Sequence, residues 1–176
     1  MNTSMDSTKP DRASIVTVPE PRAAGAFASG TFVVRAEPIV VETTDRVELV
    51  DLTERVGALV RASGVHEGAA SIWSLHTTCA LFINETQAAL HADIKRLLEG
   101  IVAREGAWMH NDPSHSDCDR MNADSHLRAM LLGHSVTAQV TSGRLVLGQW
   151  QRILAAELDG PRTRTLRLQI MGVGNP

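Results

Sequence analysis

The chain has 176 residues, of which 43% are hydrophobic and 21% charged, with a net charge of −3. That length supports one domain with a core of its own. The mildly acidic balance excludes a dedicated nucleic-acid binder, whose face would be basic, and no apolar run approaches the roughly 20 residues of a membrane-spanning helix. Two cysteines, Cys79 and Cys118, are too few for a disulfide framework and fit a reducing compartment. With no basic-then-apolar leader, the expected location is the cytoplasm.

Residues 1–29 are rich in Ser, Thr, Pro and Ala and read as a flexible extension, with Ile15, Val16 and Val18 the only material for a docked strand. A domain is expected over 30–176. Thr31 to Thr43 is dense in β-branched residues but carries Pro38, which predicts an edge strand or two strand pieces. Asp45 and Glu48 have capping-box spacing, and Leu49, Leu52, Val56, Leu59 and Val60 then recur at helical intervals up to Gly64. Ser71 to Glu85 reads as one strand with Trp73, Leu75, Cys79, Leu81 and Ile83 on its apolar side and His76 on the wetter one.

A second helix is expected over about Gln87 to Val102, with Leu90, Ile94, Leu97, Leu98 and Ile101 on one face. The polar stretch Arg104 to Met121 is too long for a routine connection. Asn122 can cap a short helix with a core stripe of Ala123, Leu127, Met130 and Leu131, ending at Gly133. Antiparallel strands then follow: His134 to Val140, a turn at Ser142-Gly143, Arg144 to Leu158, and Thr163 to Met171 with Leu166, Leu168 and Ile170 inward. Strands and helices are not in βαβ order, so the expected class is α+β, a largely antiparallel sheet with about three helices.

The chemistry-bearing residues are unevenly spread. His110, His115 and His126 sit in or just after the polar stretch, interleaved with Asp112, Asp117, Cys118, Asp119 and Asp124. Imidazole, thiolate and carboxylate are transition-metal ligands, although a solvated acidic loop explains the same residues equally well. Five arginines follow Val140 (Arg144, Arg152, Arg162, Arg164 and Arg167) and suit phosphate. Arg164 and Arg167 read as solvating the outer face of the last strand. His76 has two hydroxyls beside it, Thr77 and Thr78, and Glu85 is either an acid, base or ligand or a helix cap. No Walker A loop, Rossmann fingerprint, HExxH or CxxC is present, and there is no tyrosine.

Three segments, His76 to Glu85 (HTTCALFINE), Asn122 to Leu127 (NADSHL) and Gly143 to Gln151 (GRLVLGQWQ), resemble the YjbQ-like family, whose members include secondary thiamine-phosphate synthases. Glu157 to Arg162 (ELDGPR) is similar to its closing motif, and the resemblance spans about residues 30–172. It implies a compact α+β domain assembling as a homotrimer with sites near subunit boundaries. It also implies that His76, His110 and His126 are the shared metal or acid/base positions, with a divalent ion such as Mg or Zn. Trp108 stands where the family commonly has a tyrosine, and the loop with His115 and Cys118 is distinctive. The activity so implied joins an aminopyrimidine methyl pyrophosphate to a thiazole phosphate with loss of pyrophosphate. His76, Glu85 and His126 are then the catalytic candidates. Thr77, Thr78, Asn84, Arg144, Gln151, Arg152 and Arg162 are the candidates for binding the small phosphorylated substrate. A non-catalytic trimeric binding module and a metal-dependent hydrolase are the other readings.

Overall fold

A computed structural model of the chain describes residues 15–16 and 28–175. The expected flexibility of 1–29 and the strand-forming Val18 therefore lie outside the described residues, apart from positions 15–16 and 28–29. Strand β1 (Ile15–Val16) is followed by β2 (Thr31–Glu42), β3 (Glu48–Asp51), α1 (Thr53–Ala62), β4 (Val65–Ser74) and β5 (Cys79–Asn84). Then come α2 (Ala88–Ile101), a 3-10 turn (Met109–Asn111), α3 (Ala123–Leu132), β6 (Ser135–Thr141), β7 (Arg144–Val146), β8 (Arg152–Glu157) and β9 (Thr163–Gly174). The class is α+β, with two sheets and three helices, as the residue pattern predicts.

Six strands in the order β1-β7-β6-β4-β9-β2 form the larger sheet, and β3-β8-β5 form the smaller. All pairings are antiparallel except β1 with β7, which run parallel through Ile15↔Leu145 and Val16↔Val146. The main core lies between the sheets and takes α1: Ile39, Val56, Ile72, Leu81, Ile153 and Leu166 belong to it. The opposite face of the smaller sheet packs Ala80, Ala156 and Leu158 against Leu98 of α2 and Ala129 of α3. Covered on both sides, β8 is buried along its whole length. Among the described residues no helix is long and apolar enough to cross a membrane.

Several sequence expectations are corrected. Of the two readings of Pro38 the edge strand holds and the two strand pieces do not: β2 runs unbroken from Thr31 to Glu42 and, among the described residues, is the outermost strand of its sheet. Glu48 does bond back to the N–H groups of Thr44 and Asp45, but this closes a turn, and Glu48 to Asp51 is a strand; the helix begins at Thr53. The single strand expected from 71 to 85 breaks after Ser74, and its halves join different sheets. The break also shifts the parity: Ile72 is buried while Trp73 and Leu75 are exposed. In α2 only Leu98 is buried, and Leu97 and Ile101 face outward.

Helix α3 departs most. Its buried residues are Ala123, Asp124, Ser125, Arg128 and Ala129, while Met130 and Leu131 are exposed. A polar face turns inward because it has partners there: Arg128 donates to the Val102 carbonyl and pairs with Glu99, and Ser125 Oγ donates to the Leu158 carbonyl at 2.5 Å. Asn122 does not cap the helix with its own side chain; Asn111 Oδ1 takes the Ala123 N–H at 2.9 Å instead. Arg144 to Leu158 is not one strand, since β7 stays in the larger sheet and β8 is the centre of the smaller.

Candidate functional site

The site grows from the end of β8. Alternation along the strand sends Glu157 to the same side as Ile153 and Ala155, into the space between the sheets. On β9, Arg164 shares the inward phase of Leu166 and Leu168 and meets Glu157 there. The pair is bidentate at 2.5 and 2.6 Å, with side-chain exposures of 1% for Glu157 and 7% for Arg164. Arg164 also donates to Thr78 Oγ1 at 2.8 Å. Arg164 therefore does not solvate the outer face as expected; Arg167 does lie on it, exposed.

His76, half-buried, stands next to this pair, its Nε2 accepting the Thr165 N–H at 3.2 Å. Burial, then the Arg164 guanidinium, holds its pKa below the ordinary 6.5, with Glu157 pulling the other way. Cys79 is buried beside it, and burial pushes its thiol pKa up, leaving it a poor nucleophile.

Two residues further along, Asp159 is the centre of a larger cluster. Its carboxylate accepts from Arg46 Nη1 (3.3 Å), Arg120 Nε (2.8 Å), Asn122 Nδ2 (3.0 Å) and Arg162 Nη2 (3.3 Å). Burial alone would raise its pKa, but the bonds from Arg120 and Asn122 outweigh burial and hold it below the carboxylate norm. Gly160 lets the β8–β9 turn approach: a Cβ there would lie 2.3 Å from the Asp45 carbonyl oxygen, and its N–H bonds the Arg46 carbonyl at 2.9 Å. Arg46 also reaches Asp124 Oδ1 at 2.9 Å. The other oxygen of Asp124, fully buried, makes no hydrogen bond and lies 3.5 Å from Arg128 Nη1.

At the same end of the fold, α3 presents His126. Its ring meets that of His110 edge to face, centroids 5.0 Å apart. Both line a cavity of about 370 Å³ with Trp108, Met109, Ala123 and Leu127. Burial, then the neighbouring His110, lowers the His126 pKa below 6.5 against the pull of Asp159 and Asp124. A second cavity, about 580 Å³, shares Trp108 and Met109 and carries mixed charge: Arg104 and Arg120 against Glu105, Asp112 and Asp119.

The candidate residues thus divide. His76, Thr77, Thr78 and Arg162 stand at one end of the smaller sheet, the end where His126 and Asp159 are found. Thr77 is exposed and the Thr78 hydroxyl is occupied by Arg164. Asn84 and Glu85 stand at the other end of β5, roughly 20 Å along the strand by its rise. Arg152 is their register neighbour, bonded to the carbonyls of Gln149 and Gln151, and the Gln151 side chain holds the Gly148 N–H. Arg144 is apart from both groups, exposed on β7. His110 and His126 come together, whereas His76 keeps separate partners; among the described residues no three His, Cys, Asp or Glu side chains are gathered to hold a metal ion. His115 is on the exposed loop, bonded to Ser114 and Asp112. Sequence reasoning missed Arg46, Arg120 and Asp159 as a cluster, and no local spacing joins them. Arg164 did leave a signal, its even-numbered phase with Leu166.

Residues 37–173 match the family described as UPF0047 protein YjbQ-like. A UPF0047 protein of Methanothermobacter thermautotrophicus is 42% identical over 139 residues, 79% of this chain and 93% of that one. The UPF0047 protein YugU of Bacillus subtilis is 36% identical over 132 residues, 75% and 96% of the two chains. Among solved structures, a YbjQ-like protein of unknown function from Sulfolobus solfataricus P2 superposes with a TM-score of 0.75 at 35% identity, covering 81% of this chain and 99% of that one. The match to 37–173 and the shared architecture agree: the chain belongs to the YjbQ-like UPF0047 family.

Proposed function

We propose that the chain is an enzyme acting on a small phosphorylated molecule, with thiamine-phosphate synthesis as the specific reaction. The observation that carries this reading is the His110–His126 pair in the wall of a cavity, at the fold end where Asp159 gathers three arginines. In the reaction the carbon–oxygen bond to pyrophosphate breaks, its electron pair leaving with the pyrophosphate, and the thiazole nitrogen's lone pair forms the new carbon–nitrogen bond. Such chemistry needs charge neutralisation at the leaving group more than a strong base. His126, whose neutral form is favoured by burial and by the neighbouring His110, offers a lone pair and an N–H to the reacting group.

A divalent ion, Mg or Zn, would supply further neutralisation of the leaving group. Among the described residues no set of three ligands forms within one chain, so the roles proposed here for its residues do not depend on an ion. The proposed setting is cytoplasmic and the proposed assembly a homotrimer, whose neighbours cover the outer face of the larger sheet, where Phe32, Val34 and Trp73 are exposed. The full-length protein, given both thiamine precursors and Mg²⁺, is expected to form product over many turnovers, and His126→Ala to abolish this with unfolding unchanged. No product, or unchanged turnover in the variant, contradicts the reading. Ligand-dependent stabilisation without turnover would favour a non-catalytic module, and phosphate release from generic esters a hydrolase.

A further inference from the structure

Three segments distant in sequence each send one arginine to Asp159: Arg46 from the β2–β3 connection, Arg120 from the loop before α3, and Arg162 from the β8–β9 turn. One carboxylate offsets one guanidinium. Asp124 offers Arg46 a second carboxylate oxygen, but its other side faces Arg128, which also holds Glu99. Four guanidiniums therefore meet three carboxylates. The surplus charge sits on side chains that reach the surface, with Arg46 26%, Arg120 49% and Arg162 34% exposed.

Donors are in surplus too. A guanidinium has five N–H groups, yet Arg120 and Arg162 each bond to Asp159 only through Nε and Nη2. Their Nη1 groups have no hydrogen-bond partner among the described residues. Holding a buried carboxylate would need one arginine. Three, half-used and partly exposed, form a donor array for a second anion, and forked guanidiniums match phosphate oxygens.

We infer that the Asp159 cluster is a preassembled phosphate subsite. Arg120 and Arg162 donate to a phosphate monoester or diphosphate, and Arg46 supplies charge behind them. The choice of phosphate among oxyanions rests on the function proposed above; the donor surplus does not.

Calorimetric titration of the full-length protein with sodium pyrophosphate, and separately with inorganic phosphate, tests this. Saturable binding is expected, weakening as salt is raised. Arg120→Gln should weaken it at least tenfold, and Arg120→Lys by less, since charge remains but the fork is lost. Arg96→Gln, on the exposed face of α2, removes the same charge elsewhere and should leave binding unchanged. No saturable binding at millimolar pyrophosphate, or equal effects of Arg120→Gln and Arg96→Gln, overturns the subsite. Circular dichroism confirms that each variant is folded. His126→Ala should retain pyrophosphate binding. Binding without turnover would then remove the enzymatic reading alone, and turnover indifferent to Arg120→Gln would remove the subsite alone.

Discussion

Removing one member of the Glu157–Arg164 pair strands a charge between the two sheets. With 1% and 7% of the side chains exposed, solvent cannot relieve it, and breaking such a pair costs about 3–5 kcal/mol. For a domain of this size each kcal/mol lowers Tm by about 2–4 °C, so Glu157→Gln and Arg164→Met should each lower Tm by roughly 6–20 °C. The double variant carries no stranded charge and should be more stable than the summed losses predict, by more than about 1 kcal/mol in a urea-denaturation cycle. His76 gives a second readout with opposite signs. Beyond burial, Arg164 depresses its pKa and Glu157 raises it. Arg164→Met should therefore raise the His76 pKa, and Glu157→Gln lower it further, in an NMR titration of the folded variants. Additive losses in the cycle, or shifts of the same sign, would refute the reasoning.

Further outcomes follow from the same geometry. His76 and His126 have folded pKa values below 6.5, so the unfolded chain takes up protons first as pH falls. Their contribution to stability is full above about pH 6.5 and is lost as pH drops through the folded values; Tm measured from pH 8 to 5 should fall, and His76→Asn with His126→Asn should flatten that slope. Gly160→Ala places a Cβ 2.3 Å from the Asp45 carbonyl oxygen, and a urea midpoint should report a loss of about 1–3 kcal/mol. Gly100→Ala, with nothing within 4 Å of its Cβ in α2, should instead stabilise by about 0.5–1 kcal/mol. If copies of the chain cover the outer sheet face, Val34→Asp with Trp73→Asp should shift sedimentation from trimer to monomer, and an unchanged profile would contradict that.

Local chemistry was legible where it had one use. The alternation of Thr163 to Met171 and the turn at Ser142-Gly143 each correspond to observed elements. The errors arise where tertiary partners override local pattern. Asp124, Ser125 and Arg128 face inward on α3 because Arg46, the Leu158 carbonyl and the Val102 carbonyl await them, none of which is near in sequence. Trp73, expected on the apolar side of the strand, is exposed because Ile72 and Ser74 take the inward phase of β4. The histidine pair was reachable from the family motifs, while the Asp159 cluster required the β2–β3 connection, the loop before α3 and the β8–β9 turn to be assembled in space.

The central claim is that the His110–His126 cavity and the Asp159 arginines serve one ligand. A crystal of the full-length protein soaked with pyrophosphate tests it most directly. Pyrophosphate should lie within hydrogen-bonding distance of Arg120 and Arg162, its free end directed toward the imidazole pair. Pyrophosphate bound on another surface, with those arginines still closed only on Asp159, would contradict the claim.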